Sequence, residues 1–279
     1  MSEIHLGIDF GISNIKVVRK NSIKPISSLN IPQDLSFETY STMDYSDLKY
    51  FLSYIIEKYA KSNMHFQRVG VTGGKHLSLP DRINNVEIIK KNEINAIADG
   101  AKRVSGISSD FLVLSCGSGT AFVAIKDSQN IHLGGTGLGG GTILGLSNLI
   151  IKKGDPKKIN ELSSSGSDKA DLILKDVVSG PIGNLPEDAT AVHFGNLNEL
   201  NGLSDKDISK SVINLVSINI SRLASTTAIA AGLNKLVVIG GTSYYNVFKE
   251  QLIKWTKLSG IQTEILENPE FITSIGVLD

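Results

Sequence analysis

The sequence predicts an α/β chain: two domains of similar plan with a cleft between them. Two observations predict it. The first is a pair of glycine-bearing turns in corresponding positions, GIDFGISNIK at residues 7–16 and LSCGSGT at residues 114–120. Each lies between two short apolar runs and reads as strand, tight turn, strand. The second is the order of elements, which runs through strands and helices in one sequence and then does so again. This repetition is architectural and has no short sequence period. Turns of this kind let backbone N–H groups close on an anion with no Cβ in the way. Two of them facing each other would clamp the phosphates of a nucleotide, so the chain reads as a phosphoryl-transfer enzyme.

Taken in order, residues 4–10 and 15–18 form the first hairpin, and residues 23–28 are expected to add a third strand. Residues 46–59 carry Leu48, Phe51, Leu52, Ile55 and Ile56 at helical spacing, with Asp47 near the start. Residues 68–72 are a short buried strand ending in Gly73-Gly74, and residues 93–104 a helix. Residues 111–115, 120–125 and 131–133 supply the second set of strands. A glycine run at 134–141 then opens a helix at about 142–151. Residues 152–186 are polar and read as short helices and loops. Residues 208–232 are the longest helical pattern. A strand at 235–239, the Gly240-Gly241 turn, a helix at 244–255, a strand at 263–266 and a C-terminal helix complete the chain. The expected domains are 1–97 and 98–279.

Composition bounds the function. Lys plus Arg and Asp plus Glu are both 28, so the net charge is zero and nothing global points to nucleic acid or an anionic membrane. The single cysteine excludes an internal disulfide framework, and no Cys/His spacing resembles a zinc site. His5, His65, His76, His132 and His193 are scattered. No apolar run is long enough to span a bilayer, and the N-terminus enters a strand with no secretory pattern, so a cytoplasmic location is expected.

Asp9 ends the first strand just before its turn, where a carboxylate can hold Mg²⁺ through waters beside bound phosphates; a turn Asp capping local N–H groups is the plain alternative. Lys16 can meet phosphate oxygens or simply be a solvated strand residue. The first turn matches neither the P-loop nor the dinucleotide fingerprint. The run at 134–141 holds six glycines in eight residues. So many glycines are entropically unfavourable, and this run leads into a helix whose N-terminus suits phosphate. A hinge is its alternative reading. Gly240-Gly241 is a strand-to-helix turn of the kind that receives adenosine. Glu93 opens a helix and can take a proton from an alcohol, or can merely complement the helix dipole. Cys116 reads as a packing residue.

Together these elements resemble the superfamily of acetate kinase, sugar kinases, Hsp70 and actin, and within it the type II, eukaryotic-like pantothenate kinases. The resemblance runs from Gly7 to Val277. The family's Gly-Ile-Asp-x-Gly-Gly-Thr-x-x-Lys turn is matched at 7–16, its Thr-Gly-Gly at Thr72-Gly73-Gly74, and its Glu-x-x-Ala-x-x-x-Gly at 93–100. Its Gly-Thr-Gly-Thr turn is matched at 117–120. Its Gly-Gly-x-Gly-x-Gly-Gly-Gly loop is matched at every glycine of 134–141, its Thr-Ala-x-x-Phe-Gly stretch at 190–195, and its terminal Ala-Ile-Gly at Ser274-Ile275-Gly276.

The resemblance implies two ribonuclease H-like (actin-like ATPase) domains with ATP and Mg²⁺ between them. Gly11, Ser13, Asn14 and Lys16 then face the phosphates from one side, and Gly117, Ser118, Gly119, Gly140, Gly141, Thr142 and Ile143 from the other. Gly240 and Gly241 meet the adenosine, and Asp9 holds the metal. Glu93 accepts the proton of the primary hydroxyl of pantothenate, with His132, Gly134 and Thr190 on the substrate side. A homodimer through the helix at 208–232 is implied, as is coenzyme A or an acyl-CoA as regulator. Three positions depart from the family: Ile12 replaces a glycine, Ser13 a threonine, and His132 aligns with an arginine. A histidine cannot make a two-pronged carboxylate contact. Two other readings therefore stand beside pantothenate kinase: a kinase of the same fold for another small alcohol, such as a sugar or a pantothenate analogue, and a non-catalytic nucleotide- or acyl-CoA-binding protein.

Overall fold

The computed structural model describes residues 5–20, 34–61, 66–180 and 182–278. The first sheet contains β1 (Leu6–Phe10), β2 (Asn14–Lys20), β3 (Leu35–Ser41), β4 (Arg68–Gly73), β5 (Arg82–Ile83) and β6 (Val86–Lys90), in the order β3-β2-β1-β4-β6-β5. The second contains β7 (Phe111–Cys116), β8 (Thr120–Lys126), β9 (Gln129–Thr136), β12 (Lys235–Ile239) and β13 (Gln262–Ile265), in the order β13-β12-β7-β8-β9. A short ribbon pairs β10 (Leu172–Ile173) with β11 (Thr190–Val192). The helices are α1 (Leu48–Ala60), α2 (Glu93–Ser105), α3 (Gly140–Ile151), α4 (Pro156–Ser164), α5 (Leu174–Val177), α6 (Asp205–Ala230), α7 (Asn246–Leu258) and α8 (Ile272–Ile275).

The repeat is visible in the topology. In each sheet three antiparallel strands, β3-β2-β1 and β9-β8-β7, are followed by two parallel ones, β4-β6 and β12-β13. The predicted third strand at 23–28 lies outside the described residues. The sequence reading passed over β3 at 35–41, whose signal is Leu35, Phe37 and Thr39 alternating with Ser36, Glu38 and Tyr40. The glycine run is not wholly a loop either. Residues 134–136 continue β9, and α3 begins at Gly140.

The layers follow from which faces are apolar. α1 covers the outer face of the first sheet, where Asp47 caps it by accepting from the N–H groups of Lys49 and Tyr50. The outer face of the second sheet packs on α3, α4, α6 and α7. Between the sheets lie α2 and α8, in a core of Val18, Ile97, Ala101, Val113, Val237, Ile272 and Ile275. The two halves therefore share one dry layer, and Ile97 sits inside it. α2 and α8 cross at backbone distance. A Cβ on Gly276 would lie 1.8 Å from Ala96 O, and one on Gly100 would lie 2.0 Å from Ile272 O.

α6 has the length and hydropathy of a membrane span, and no other helix among the described residues passes that test. Most of α6 is nevertheless buried, against α3, α4 and α7, and residues 211–221 are covered on nearly all sides. Asn219, Leu223, Thr226, Ile229 and Ala230 remain as an exposed stripe on its C-terminal half.

Candidate active site

The two hairpin turns meet. Ser13 Oγ lies 2.8 Å from Ser118 Oγ, so the β1–β2 and β7–β8 turns face each other across the mouth between the sheets. The first turn is tight: a Cβ on Gly11 would lie 2.6 Å from Asn14 O. It is braced by Thr42, whose Oγ1 donates to Gly11 O at 2.9 Å and whose N–H donates to Ser13 O at 3.1 Å. Ile12 is 82% exposed, so its branched side chain points away from the turn and leaves the space a glycine would.

Three segments of the second half converge on the other turn. Gly117 O accepts from Gly140 N at 2.8 Å and from Thr242 Oγ1 at 2.7 Å, and Ser118 O accepts from Gly141 N at 3.0 Å. The glycines at the start of α3 are thus required partly by protein backbone. A Cβ on Gly139 would lie 2.5 Å from Ser118 O. The amides of Gly140 and Gly141 are engaged by the turn, Thr142 Oγ1 donates to Gly137 O at 3.0 Å, and Ile143 is buried with its N–H on Gly139 O. Gly117 has open space where a Cβ would project. Gly240, at φ +96°, turns the chain beside β7, where a Cβ would meet Cys116 O at 2.3 Å; Gly241 follows it into a short turn ending at Tyr244. Gly73, at φ +90°, is its counterpart in the first sheet.

Register locates the charge. Asp9 pairs with Lys16 on β2 and with Thr72 on β4, so the three share one face beneath the first turn. The corresponding places in the second sheet are Ser115, Ala121 and Ile239, which carry none. Only the first half of the repeat is built for ions. Burial raises the Asp9 carboxyl from its ordinary 3.8 to about 6, against the pull of the Lys16 ammonium and with a push from the Glu93 carboxylate. Burial lowers Lys16, while Asp9 and Glu270 hold it up. Glu93 stands exposed in the first turn of α2, whose N-cap Asn92 accepts from Ile94 N at 2.9 Å.

Asp9 makes a pH prediction. Below about 3.8 the folded and unfolded chains both hold its proton. Between there and about 6 only the folded chain does, so this group's support for folding is lost as pH rises through that window. In metal-free buffer, Asp9→Asn should match the parent's melting temperature near pH 4 and exceed it above pH 6, by up to roughly 3 kcal/mol of stability. Parallel melting curves with a constant gap would refute the shift.

The arrangement fits a hard cation. Asp9, Glu93 and Glu270 outnumber Lys16 around a space proposed for a polyanion, and like charges there need a counter-ion. Thr72 is buried beside Asp9 with its hydroxyl unpartnered. A carboxylate plus water and a neutral oxygen is an ordinary Mg²⁺ donor set. Among the described residues no cluster of three or more His, Cys, Asp or Glu forms a dedicated metal cage.

His132 lies exposed on β9, an edge strand, opposite Val123. Asn130 Nδ2 donates to Asn95 Oδ1 at 3.1 Å, which ties β9 to α2 two residues from His132 and two from Glu93. Gly134, at φ +126°, follows at the register shift near Phe122 and Val123. Thr190 belongs to the β10–β11 ribbon, which rests through Ala189 on Ile218 of α6 and Trp255 of α7. Thr190 pairs there with Ile173. Thr72 and Ser274 stand in the sequence only as motif positions without a role, and Thr242 and Glu270 carry no sequence signal of their own beyond the Gly240-Gly241 turn beside Thr242.

Known proteins resemble this chain in sequence and in fold. A type II pantothenate kinase of Bacillus cereus (strain ATCC 10987) is 26% identical over 99% of this chain and 97% of its own length. One of Staphylococcus epidermidis is 28% identical over 78% of this chain and 84% of its own. Among solved structures, the activator of 2-hydroxyisocaproyl-CoA dehydratase from Clostridium difficile with bound ADPNP superposes with a TM-score of 0.63 at 16% identity, covering 99% of this chain and 92% of that one. A ROK family glucokinase from Streptomyces griseus with glucose and AMPPNP gives 0.61 at 12% identity, covering 98% and 97%. These structures establish the two-domain nucleotide-binding fold. The Fumble family matches residues 108–259, a span running from β7 through α7 and including the second turn, the glycine run and Gly240-Gly241; since that is more than half of the sequence, the chain belongs to the Fumble family.

Proposed function

We propose that the chain transfers the γ-phosphoryl group of ATP to the primary hydroxyl of pantothenate, forming 4′-phosphopantothenate at the entry to coenzyme A synthesis. The observation that carries this reading is the 2.8 Å approach of Ser13 and Ser118, which sets two anion-type turns face to face above Asp9, Lys16 and Glu93. The acceptor comes from the name of the relatives. Glu93 takes the hydroxyl proton, the freed oxygen attacks the γ-phosphorus, the bond to the β–γ bridging oxygen breaks, and ADP leaves. Gly11, Ser13, Asn14 and Lys16 meet the phosphates from the first half. Gly117, Ser118 and Gly119 meet them from the second, backed by the start of α3 at Gly140–Ile143, whose amides hold this turn rather than the phosphates, with Gly240 and Gly241 at the adenosine. Asp9 would hold Mg²⁺, which when bound would supply positive charge beside the transferring group. His132, Gly134 and Thr190 form the acceptor side. The same reading takes the protein as a cytoplasmic homodimer, divided near residue 97, whose partner covers the exposed stripe of α6, with coenzyme A or an acyl-CoA as regulator.

A coupled ADP-release assay with Mg²⁺-ATP tests it, run with pantothenate and with a panel of sugars and N-acetyl sugars. Pantothenate-dependent ADP is the expected result. ADP released only with a sugar would move the enzyme to another alcohol. No turnover alongside an ATP-induced rise in melting temperature would leave a nucleotide-binding protein. His132→Arg should lower KM for pantothenate by about tenfold, the worth of a charge-assisted contact. An unchanged KM would place the substrate carboxylate elsewhere.

A further inference from the structure

The rim between α2 and β9 carries a hydrogen-bonded chain with one direction. Lys102 Nζ donates to Asn130 Oδ1 at 2.8 Å, and Asn130 Nδ2 donates to Asn95 Oδ1 at 3.1 Å. An ammonium only donates, and a carboxamide has one accepting and one donating end. Lys102 therefore turns the oxygen of Asn130 towards itself. That turns the nitrogen of Asn130 towards Asn95 and engages the oxygen of Asn95. The free end of the chain is the Asn95 NH2, two donors on an exposed side chain that makes no other hydrogen bond among the described residues. The charge has the same sense. Lys91 holds Asp99 at 2.6 Å and Lys102 lies 4.0 Å from it, so this side of α2 has two ammonium groups to one carboxylate. Register sets this end beside the acceptor side. Asn130 and His132 pair with Ile125 and Val123 of β8, which belong to the core between the sheets, so Asn130 and His132 share the face of β9 turned to α2. Asn95 and Lys102 lie about two turns apart on one side of α2.

We propose that Asn95 is a specificity-determining residue for the acceptor, its NH2 receiving the acceptor's carboxylate beside His132, and that Lys102 and Asn130 are positioning residues that keep this donating end free. The inference rests on the phosphoryl-transfer reading above. Pantothenate carries its carboxylate at the end opposite its primary hydroxyl. A hydroxyl at Glu93, at the start of α2, therefore leaves the carboxylate to groups set off from the reacting atoms. A single imidazole cannot make a two-pronged contact, and the Asn95 NH2 supplies further donors on the same rim. A carboxylate only accepts, so it fits the NH2 end of Asn95 and is repelled by the carbonyl end. The polarity of the chain, set by Lys102, decides which end it meets. A neutral hydroxymethyl group in that place donates as well as accepts and needs no such polarity.

The test compares pantothenate with pantothenol, in which a hydroxymethyl group replaces the carboxylate, on the full chain. The first readout is the ratio of their KM values in the coupled assay. The parent should favour pantothenate, and Asn95→Ala should reduce that preference by about tenfold, one charge-assisted contact, with kcat nearly unchanged. Asn95 is exposed, so the variant's melting temperature should stay close to the parent's. Lys102→Met should lose part of the preference, and Lys102→Arg, which also only donates, should keep it. In the Asn95→Ala background, Lys102→Met should have no further effect, whereas a charge acting directly on the ligand would act there as before. Additive losses would overturn the positioning role of Lys102. The second readout is calorimetric binding of the two compounds in the presence of a non-hydrolysable ATP analogue, which needs no turnover. Pantothenate turned over with the same preference in the parent and in Asn95→Ala would overturn the proposal and leave the kinase reading standing. No turnover, with a binding preference that depends on Asn95, would keep the proposal while the kinase reading fails. Neither turnover nor binding of either compound would overturn both.

Discussion

Replacing Glu93 by glutamine should lower kcat for pantothenate phosphorylation by about 10²–10⁴-fold, the range lost when a general base is removed. The fold should survive. Glu93 is exposed at the first turn of α2, Asn92 supplies the cap, and the packing face of the helix is Ala96, Ile97, Gly100 and Ala101. Surface changes of this kind alter stability by about 0.5 kcal/mol or less. The nucleotide half of the site is built from other segments, so Mg²⁺-ATP should raise the melting temperature of the variant as it does that of the parent. The two measurements together separate chemistry from binding. Turnover within a few-fold of the parent, with ATP binding intact, would remove Glu93 from the base role and turn attention to the other carboxylates around Lys16.

The second large effect is on stability. Gly276→Ala should destabilise the protein by roughly 3–5 kcal/mol, a large part of what a domain possesses. The added carbon would lie 1.8 Å from Ala96 O, 2.7 Å from its carbonyl carbon and 2.9 Å from Gly100 N. All three are backbone atoms of α2, so no rotamer change relieves the contact. The chain around Gly276 is also held elsewhere. Lys91 Nζ donates to Gly276 O at 2.8 Å, Arg103 Nη1 donates to Ile275 O at 2.9 Å, and Ser274 bonds Lys16 O. Gly145→Ala is the control. Gly145 lies exposed inside α3 with open space at its α-carbon, so the same change there should stabilise by about 0.5–1 kcal/mol. Urea unfolding of the two variants decides the matter. Equal midpoints for Gly276→Ala and the parent would mean that α2 and α8 do not cross at backbone distance.

These two predictions draw on different parts of one motif. In Glu93-x-x-Ala96-x-x-x-Gly100 the first residue stands exposed at the helix start, while the alanine and the glycine lie one and two turns further along and face α8. The spacing is therefore chemical at one end and steric at the other. Through the small residues α2 grips α8, and through Ser274 α8 grips the strand that carries Lys16. Glu93 and Lys16 lie 77 residues apart in the same half of the repeat, yet part of their alignment comes from the C-terminal segment.

Much of this was legible in the sequence because it is local. A strand, a tight glycine turn and a strand announce themselves by period and composition, so both hairpins were read, and the spans of α1, α2 and β12 were read closely. β3 was missed because its Ser-Phe-Glu-Thr-Tyr alternation is half polar, as befits a sheet edge, and a weak period is easily passed over. The glycine run reads in the sequence as a place where a ligand or another backbone comes close. Part of its composition answers to the backbone of Gly117 and Ser118, which lie more than twenty residues away along the chain from Gly139, Gly140 and Gly141.

By itself the sequence determined the two-fold plan, the two facing turns, and the identity of Asp9, Lys16 and Glu93 as the groups able to carry charge. Those properties depend on neighbours a few residues apart, where hydrophobic period and turn chemistry act. The tertiary structure alone decided which face each charge occupies, that Ile12 points to solvent, and that Thr72 lies buried beside Asp9. It also decided that the long helix is largely enclosed. These depend on strand register and on backbones brought within van der Waals distance from opposite ends of the chain, and no local pattern in a sequence encodes such a contact.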